Sequence, residues 1–214
     1  MVSSIYKKTF SVLMKRPFRL WGISLLAEFL CLVAYAGFIG VPAAAFCAAL
    51  LLSASMSMIF LNSYRTGLEP KTSYLFASFK KDRILRVLGG MAWMQLWIFL
   101  WSLIPIVGIV FGIIRMYEYR FVPYILMTRD DVKPTDAIKI SKQETMGYKG
   151  KMFGADILLG AVYLGVFLVF TLLGEIPYLG VLFRILWVLI AIAYGLLAPL
   201  FSGIMHAAFY VEIQ

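Results

Sequence analysis

Long apolar stretches constrain this chain more than any other feature of its sequence. A transmembrane helix needs about 20 mostly apolar residues to cross the hydrocarbon core of a bilayer. Soluble domains are on average about 45–50% apolar and about 25% charged. This chain is 62% hydrophobic and 14% charged, with a mean hydropathy of +0.88. The sequence therefore predicts an all-α membrane protein and excludes an ordinary soluble domain.

Six stretches qualify as spans. The apolar region that follows residue 87 is too long for one helix, and Pro105 and Gly108 divide it into two spans. Pro199 falls inside the last span, where we expect a kink. We expect three hairpins with very short outer turns, so that residues 1–214 form a single polytopic membrane domain. The predicted spans are about 18–38, 41–61, 87–104, 107–127, 153–174 and 181–210.

The basic residues are distributed unevenly along the chain. Of the 20 Lys and Arg residues, 17 lie in the stretch up to Arg19, in the connection 65–86 and in the connection 129–151. Because basic loops stay in the cytoplasm, both termini and these two connections are predicted to be cytoplasmic. The net charge of +9 then reflects topology and attraction to anionic lipid headgroups. Nucleic acid is not an expected partner, since no soluble domain could carry a basic patch for it.

The two long connections carry amphipathic patterns. In residues 72–88, Leu75, Phe76 and Phe79 lie next to a basic cluster. In residues 134–153, a Thr-Asp cap signal is followed by a partly apolar face. We expect two cytoplasmic interfacial helices, each able to pack under the bundle or against lipid. The apolar face of the second helix would consist of Ala137, Ile138, Ile140 and Met146.

The fourth span carries three charges, Arg115, Glu118 and Arg120. A charge at the centre of a bilayer costs roughly 2.5–3.5 kcal/mol on insertion scales. Arg115 and Glu118 are three residues apart, so they can pair along one helix. Arg120 points about 140° away from Arg115 and needs a partner on another helix. Counting along the helices places Glu28 of the first span at a similar depth, and we predict that Glu28 is this partner.

Two interpretations of these charges stay open. Their signs cancel, which favours a structural polar network that fixes helix register. Alternatively, they line a cavity for an anionic or zwitterionic ligand or form a proton path, because ionisable residues within membranes are often functional. Tyr117 and Tyr124 share the face of Arg120. The candidate residues for the network or ligand site are Glu28, Arg115, Tyr117, Glu118, Arg120 and Tyr124.

Three tryptophans, Trp93, Trp97 and Trp101, recur every four residues along the third span. This spacing places them on one face of a helix. We expect a packed or lipid-facing surface, and a stacking site for an aromatic ligand is the alternative.

Residues that could support catalysis or metal binding are few. Cys31 and Cys47 lie within spans and have no histidine partners for a zinc site. The single histidine, His206, is expected to be packed or hydrogen-bonded. No phosphate-binding loop or nucleophile elbow is present. We therefore predict no catalytic residues, no metal and no cofactor.

A set of short motifs runs through the chain from Ile104 onward. These motifs are Pro105 with Gly108, Tyr117 with Tyr119, Pro123-Tyr124, Ala137 with Ser141, Gly147 with Lys149, Lys151 and Phe153, and the ending Ala207–Ile213. In these motifs the chain resembles the bacterial membrane proteins of domain-of-unknown-function family 975. The similarity covers about the whole chain, and it implies a polytopic protein of the bacterial cytoplasmic membrane without implying an activity. One departure is the spacing of the outer turn, Pro-Ile-Val-Gly in place of a Pro-Gly pair.

These observations lead to three functional hypotheses. The first is a non-enzymatic accessory or scaffold protein that binds membrane lipids or another membrane protein. The second is a small transporter or channel that uses the charged cluster. The third is a lipid-modifying enzyme, for which only Asp156, His206 and Glu212 are available near the inner interface.

Overall fold

The structure is a computed structural model that describes residues 1–15, 17–37, 42–67, 70–105 and 108–214. Over these residues the chain is helical and contains no strand. The predicted first outer turn at residues 38–41 and the predicted start of the fourth span at residue 107 lie outside the described residues.

The chain folds into helices of very different length. The α-helices are α1 (Val2–Lys15), α2 (Pro17–Gly37), α3 (Pro42–Thr66), α4 (Ile84–Ser102), α5 (Gly108–Glu118), α6 (Val122–Thr128), α7 (Pro134–Glu144), α8 (Lys149–Leu173) and α9 (Gly180–Ile213). A short 3₁₀ helix, Thr72–Phe79, lies between α3 and α4. Five of the helices (α2, α3, α4, α8 and α9) are long and apolar enough to cross a membrane. The prediction of an all-helical chain with several such helices is confirmed.

The predicted fourth span is broken. It consists of α5, with 11 residues, and α6, with 7 residues, separated by a turn at Tyr119–Phe121. At 1.5 Å per residue these helices are about 16 Å and about 10 Å long, so neither alone crosses a hydrocarbon core of about 30 Å. The prediction of one continuous helix over 107–127 was wrong. The physical reason is Pro123, whose ring in a continuous helix would clash with the carbonyl of Tyr119.

The last helix has two different environments along its length. α9 contains 34 residues and continues through Pro199. Beyond Pro199, α9 lies against α3, where Gly203 faces the ring of Phe60, and Tyr210 stacks on Tyr124 of α6 with ring centroids 5.0 Å apart. Leu200, Ile204 and Phe209 are fully buried in this part. We call this region, together with α6 and the face of α3 that meets it, the packed core.

The other part of α9 pairs with α8 and is otherwise open. Residues 157–198, which we call the α8–α9 arm, bury only the two glycines of the turn, Gly174 and Gly180. Tyr163 stacks on Tyr194 with ring centroids 4.1 Å apart, and this contact joins the two helices of the arm. Elsewhere the arm exposes apolar side chains, which is the surface expected of a helix in lipid.

The first amphipathic segment is the 3₁₀ helix, and it packs on α3. Leu75 is fully buried, and Ser78 Oγ donates a hydrogen bond of 2.7 Å to the carbonyl of Leu51. Phe76 on the opposite side is 49% exposed. The predicted amphipathic helix is therefore a 3₁₀ helix of eight residues, and Phe76 lies outside its buried face.

The second amphipathic segment is α7. Its inner face buries Ala137, Ile138 and Ser141 against α4 and α6, whereas Lys139 and Lys142 are exposed. Ala137 and Ile138 of the predicted apolar face are therefore buried, whereas the prediction was wrong for Met146, which lies beyond the end of α7 and is 64% exposed.

The basic connections also form specific bonds within the protein. The guanidinium of Arg86 donates to the carbonyls of Leu126 at 2.7 Å and Arg129 at 2.9 Å, and to Asp130 Oδ1 at 2.7 Å. It thereby satisfies carbonyls at the end of α6 that have no partner within that helix. Arg86, one of the basic residues between the predicted spans, therefore also holds the connection after α6 in place.

The N-terminal basic stretch contains a helix that the sequence analysis did not predict. Ile5 and Leu13 of α1 are buried, and α1 packs mainly against α9. The Tyr6 hydroxyl donates a hydrogen bond of 2.5 Å to the carbonyl of Ala155. Burial raises the pKa of Tyr6, which keeps the phenol protonated and able to donate.

Candidate functional site

The break between α5 and α6 is closed by α7. The hydroxyl of Ser141 donates to the carbonyl of Glu118 at 2.7 Å and accepts from the backbone N–H of Phe121 at 3.2 Å. Thr145 Oγ1 lies a further 3.3 Å from the same carbonyl. A broken helix is tolerated at membrane depth only where its free backbone groups are satisfied by the protein. The turn that α7 covers is also where the charged side chains of the fourth span meet their partners.

The first charged cluster surrounds Glu118, whose side chain is 6% exposed. Arg115 forms an ion pair with Glu118, which confirms the predicted pairing along the helix. The other carboxylate oxygen of Glu118 accepts from Lys149 Nζ at 2.6 Å. Lys149, in the first turn of α8, is a partner of Glu118 that the sequence did not predict. The buried carboxylate of Glu118 is thus flanked by two cations that offset its charge.

The second charged cluster is centred on Asp156 of α8. Asp156 Oδ2 accepts from Arg120 Nη1 at 2.6 Å and from the Tyr117 hydroxyl at 2.8 Å. The Arg120 guanidinium carbon also lies 4.3 Å from the centre of the Tyr117 ring, a cation–π distance. His206 of α9 completes the cluster. We refer to these four residues as the Asp156 cluster.

The predicted Arg120–Glu28 pair was wrong. Arg120 pairs with Asp156, and Glu28 forms no ion pair among the described residues. Counting residues along helices gives depth, but it does not say which helices are neighbours. α5 packs against α8, whereas α2 packs mainly against α3. In the sequence, Asp156 is a candidate residue of a lipid-modifying enzyme and not a predicted partner of Arg120, although it is an acid on another helix.

His206 occupies a position with two competing partners. Its Nε2 lies 2.6 Å from Arg120 Nη1 and 3.0 Å from Asp156 Oδ1. A guanidinium can only donate, so it bonds Nε2 when that nitrogen is unprotonated. A proton on Nε2 would be donated to Asp156 instead. The expectation that His206 is a hydrogen-bonded residue is confirmed.

A cavity of about 470 Å³ opens between α2, α3, α6 and α9. Glu28 and Tyr124 line it, so two of the predicted site residues meet here. His206 also lines the cavity and connects it to the Asp156 cluster. The remaining polar lining consists of Ser24, Cys31, Ser53 and Ser57.

The six predicted site residues thus fall into three neighbouring groups. Arg115 belongs with Glu118, Tyr117 belongs with Arg120, and the last pair, Glu28 and Tyr124, borders the cavity. The three groups are linked in space through the break in the fourth span and through His206.

The residues considered for a lipid-modifying enzyme are only partly brought together. Asp156 and His206 are in contact, but Glu212 accepts a hydrogen bond from the Tyr64 hydroxyl at 3.0 Å and lies 3.7 Å from Lys8 Nζ. Within the part of the chain that the structure describes, no group of three His, Cys, Asp or Glu side chains is placed to hold a metal ion.

Comparisons with protein-family models, with curated proteins and with solved structures find no match for this chain. The resemblance to domain-of-unknown-function family 975 therefore stays a prediction. What the structure shows is its architecture. The protein is all-helical over the described residues, with several apolar helices that can span a membrane and a break between α5 and α6 next to the charged clusters.

Proposed function

We propose that this protein is a non-enzymatic accessory or scaffold protein of the bacterial cytoplasmic membrane that binds lipid or another membrane protein. The observation that supports this role is the mutual pairing of the charges in the fourth span. Arg115, Glu118 and Arg120 each have an oppositely charged partner. Charges that are already paired inside the protein favour one arrangement of helices over an open path for ions.

The proposed topology places both termini in the cytoplasm. In the six-span arrangement, α5 and α6 together make the fourth crossing, and the positions of the basic residues support it. In an alternative arrangement, the α4–α5 hairpin enters only the inner leaflet. The second arrangement is supported by Lys139 of α7, whose side chain is 77% exposed beside Trp93 and Trp97 of α4. Both arrangements have an even number of crossings.

Cysteine labelling distinguishes the two arrangements. In a Cys31→Ala/Cys47→Ala background, Leu103→Cys should react with a membrane-impermeant maleimide from outside the cell if α4 crosses the membrane. Tyr178→Cys, in the fully exposed turn of the α8–α9 arm, is the matched positive control. Labelling of position 178 without labelling of position 103 would support the shallow hairpin.

Stability measurements test whether the paired charges are architecture. Arg120→Ala should lower the free energy of unfolding by about 3–5 kcal/mol, because it leaves Asp156 partly buried without its cation. Arg184→Ala is the control, since Arg184 forms an exposed pair with Glu175 at 3.5 Å. That loss should be about 0–1 kcal/mol. Equal losses in the two variants would contradict the structural role.

Native mass spectrometry in native-lipid nanodiscs tests the binding role. The wild-type protein should retain lipid or a protein partner, and Glu28→Gln should retain the same species. Absence of any retained lipid or protein would contradict the accessory role.

A small transporter or channel is the second candidate, and the cavity of about 470 Å³ favours it. The cavity has a carboxylate, Glu28, and an imidazole, His206, in its lining. The same mass spectrometry decides between the two functions. A small molecule that the wild-type protein retains and a folded Glu28→Gln protein loses would favour transport.

A further inference from the structure

A second pocket lies on the opposite side of the fourth span, between α4, α5 and α7. Its volume is about 360 Å³, and the indoles of Trp93, Trp97 and Trp101 form one wall. Trp93 and Trp97 meet edge to face, with centroids 5.8 Å apart, and remain 37% and 36% exposed. The wall is thus built of rings that pack on each other and still present a surface to the outside.

The lining of this pocket carries three cations, Arg115, Lys139 and Lys142, and no carboxylate. Lys142 has no carboxylate within ion-pair distance among the described residues. Lys139 has one exposed neighbour, Asp136 at 3.1 Å. The lining is therefore positively charged, and Asp136 only partly offsets that charge.

Arg115 retains donor capacity although it pairs with Glu118. Its guanidinium carbon lies 4.4 Å from the centre of the Trp101 ring. Its Nε is buried, and no acceptor for it exists among the described residues. Glu118 therefore does not satisfy every donor of the Arg115 guanidinium, and an unpaired buried donor is costly.

The surroundings of the pocket are apolar. Along α4, Leu96, Phe99 and Leu100 are 44%, 58% and 43% exposed next to the tryptophans. Lys139, being 77% exposed, cannot lie in hydrocarbon without a large penalty. Exposed lysines, indoles and apolar side chains at one level are the composition of a membrane–water interface.

We propose that this pocket binds the anionic headgroup of a phospholipid, with the acyl chains lying along the exposed apolar face of α4. The three cations would contact the phosphate, and the indoles would contact the glycerol and upper chain region. Basic pockets between helices near the cytoplasmic side are suited to such headgroups. The inference rests on the proposed lipid-binding role and assigns that role a site and a lipid class.

The test uses the full-length protein in nanodiscs that contain phosphatidylglycerol or phosphatidylcholine, with lipid retention measured by native mass spectrometry. We expect selective retention of phosphatidylglycerol by the wild type. Lys139→Gln/Lys142→Gln should weaken that retention about thirtyfold, at about 1 kcal/mol per basic residue. Lys80→Gln/Lys81→Gln is the matched control, because it removes the same charge from two exposed lysines outside the pocket.

Three results would overturn the site. The first is equal retention of the two lipids by the wild type, and the second is an equal loss in the two double variants. The third is displacement of phosphatidylglycerol by inorganic phosphate at matched concentration, which would make the pocket a site for free phosphate. Lipid retention that is unchanged in Lys139→Gln/Lys142→Gln would refute this site and leave the proposed function standing. Absence of any bound lipid or partner would refute both the site and the proposed function.

Quenching of tryptophan fluorescence by brominated phosphatidylglycerol gives a second readout. The wild-type protein should be quenched more than a Trp93→Phe/Trp97→Phe variant. Quenching that is unchanged in this variant would place the lipid elsewhere.

Discussion

The packed core and the α8–α9 arm share one helix but are stabilised in different ways. In the packed core, Ile204 and Phe209 of α9 are fully buried by other helices. In the arm, Val188 and Ile192 of the same helix are 54% and 55% exposed, although both regions are strongly apolar. Hydrophobicity alone therefore does not distinguish a residue that packs on protein from one that faces lipid. Around α6, hydrogen bonds and ion pairs between helices fix the arrangement of the packed core.

The largest expected effect comes from emptying the packed core. Phe209→Ala should lower the free energy of unfolding by about 3–5 kcal/mol, because a buried ring is lost and a cavity remains. Leu189→Ala in the arm, where the side chain is 57% exposed, should change it by no more than about 0.5 kcal/mol. Unfolding in a mixed-detergent titration measures both. Similar losses at the two positions would remove the distinction between the two regions.

Adding a methyl group should have opposite effects in the two regions. At Gly203 a Cβ would lie 2.3 Å from the ring of Phe60, so Gly203→Ala should destabilise by about 1–3 kcal/mol. At Gly160 nothing lies within 4 Å, and Gly160→Ala should stabilise the helix by up to about 1 kcal/mol.

Thermal unfolding of the two glycine variants in the same detergent gives the sign of each change. Destabilisation of Gly160→Ala would reveal a protein neighbour on the arm, such as a second copy of the chain. A neutral Gly203→Ala would show that Phe60 moves easily and that the core is looser than its contacts suggest.

An effect of similar size is expected at the break between α5 and α6. Ser141→Ala should cost about 1–3 kcal/mol, because the N–H of Phe121 loses its acceptor and the carbonyl of Glu118 keeps only Thr145. Ser11→Ala is the matched control, since that hydroxyl bonds within its own exposed turn of α1. Hydrogen exchange at Phe121 should become faster in the first variant only. Unchanged exchange there would mean that α7 does not hold the break closed.

Much of the candidate site could be predicted from the sequence, but the pairing of charges between different helices could not. The spacing of Arg115 and Glu118 predicted their contact, because neighbours on one helix are set by local geometry. The partner of Arg120 was predicted as Glu28 and is Asp156. That choice depends on which helices touch, and helix periodicity carries no information about it.

The sequence by itself determined the helical class, the apolar helices and the position of the charges between them. These follow from composition and from periodicity along the chain, where each residue acts through its own transfer free energy. It also contained Pro123, the residue at which the fourth span breaks.

Only the tertiary structure decided how the polar groups are satisfied. Ser141 of α7 closes the break, Lys149 joins Glu118, and His206 connects the Asp156 cluster to the cavity. Each of these contacts joins residues more than 20 positions apart. Burial makes such bonds obligatory, but the packing of whole helices selects the partner.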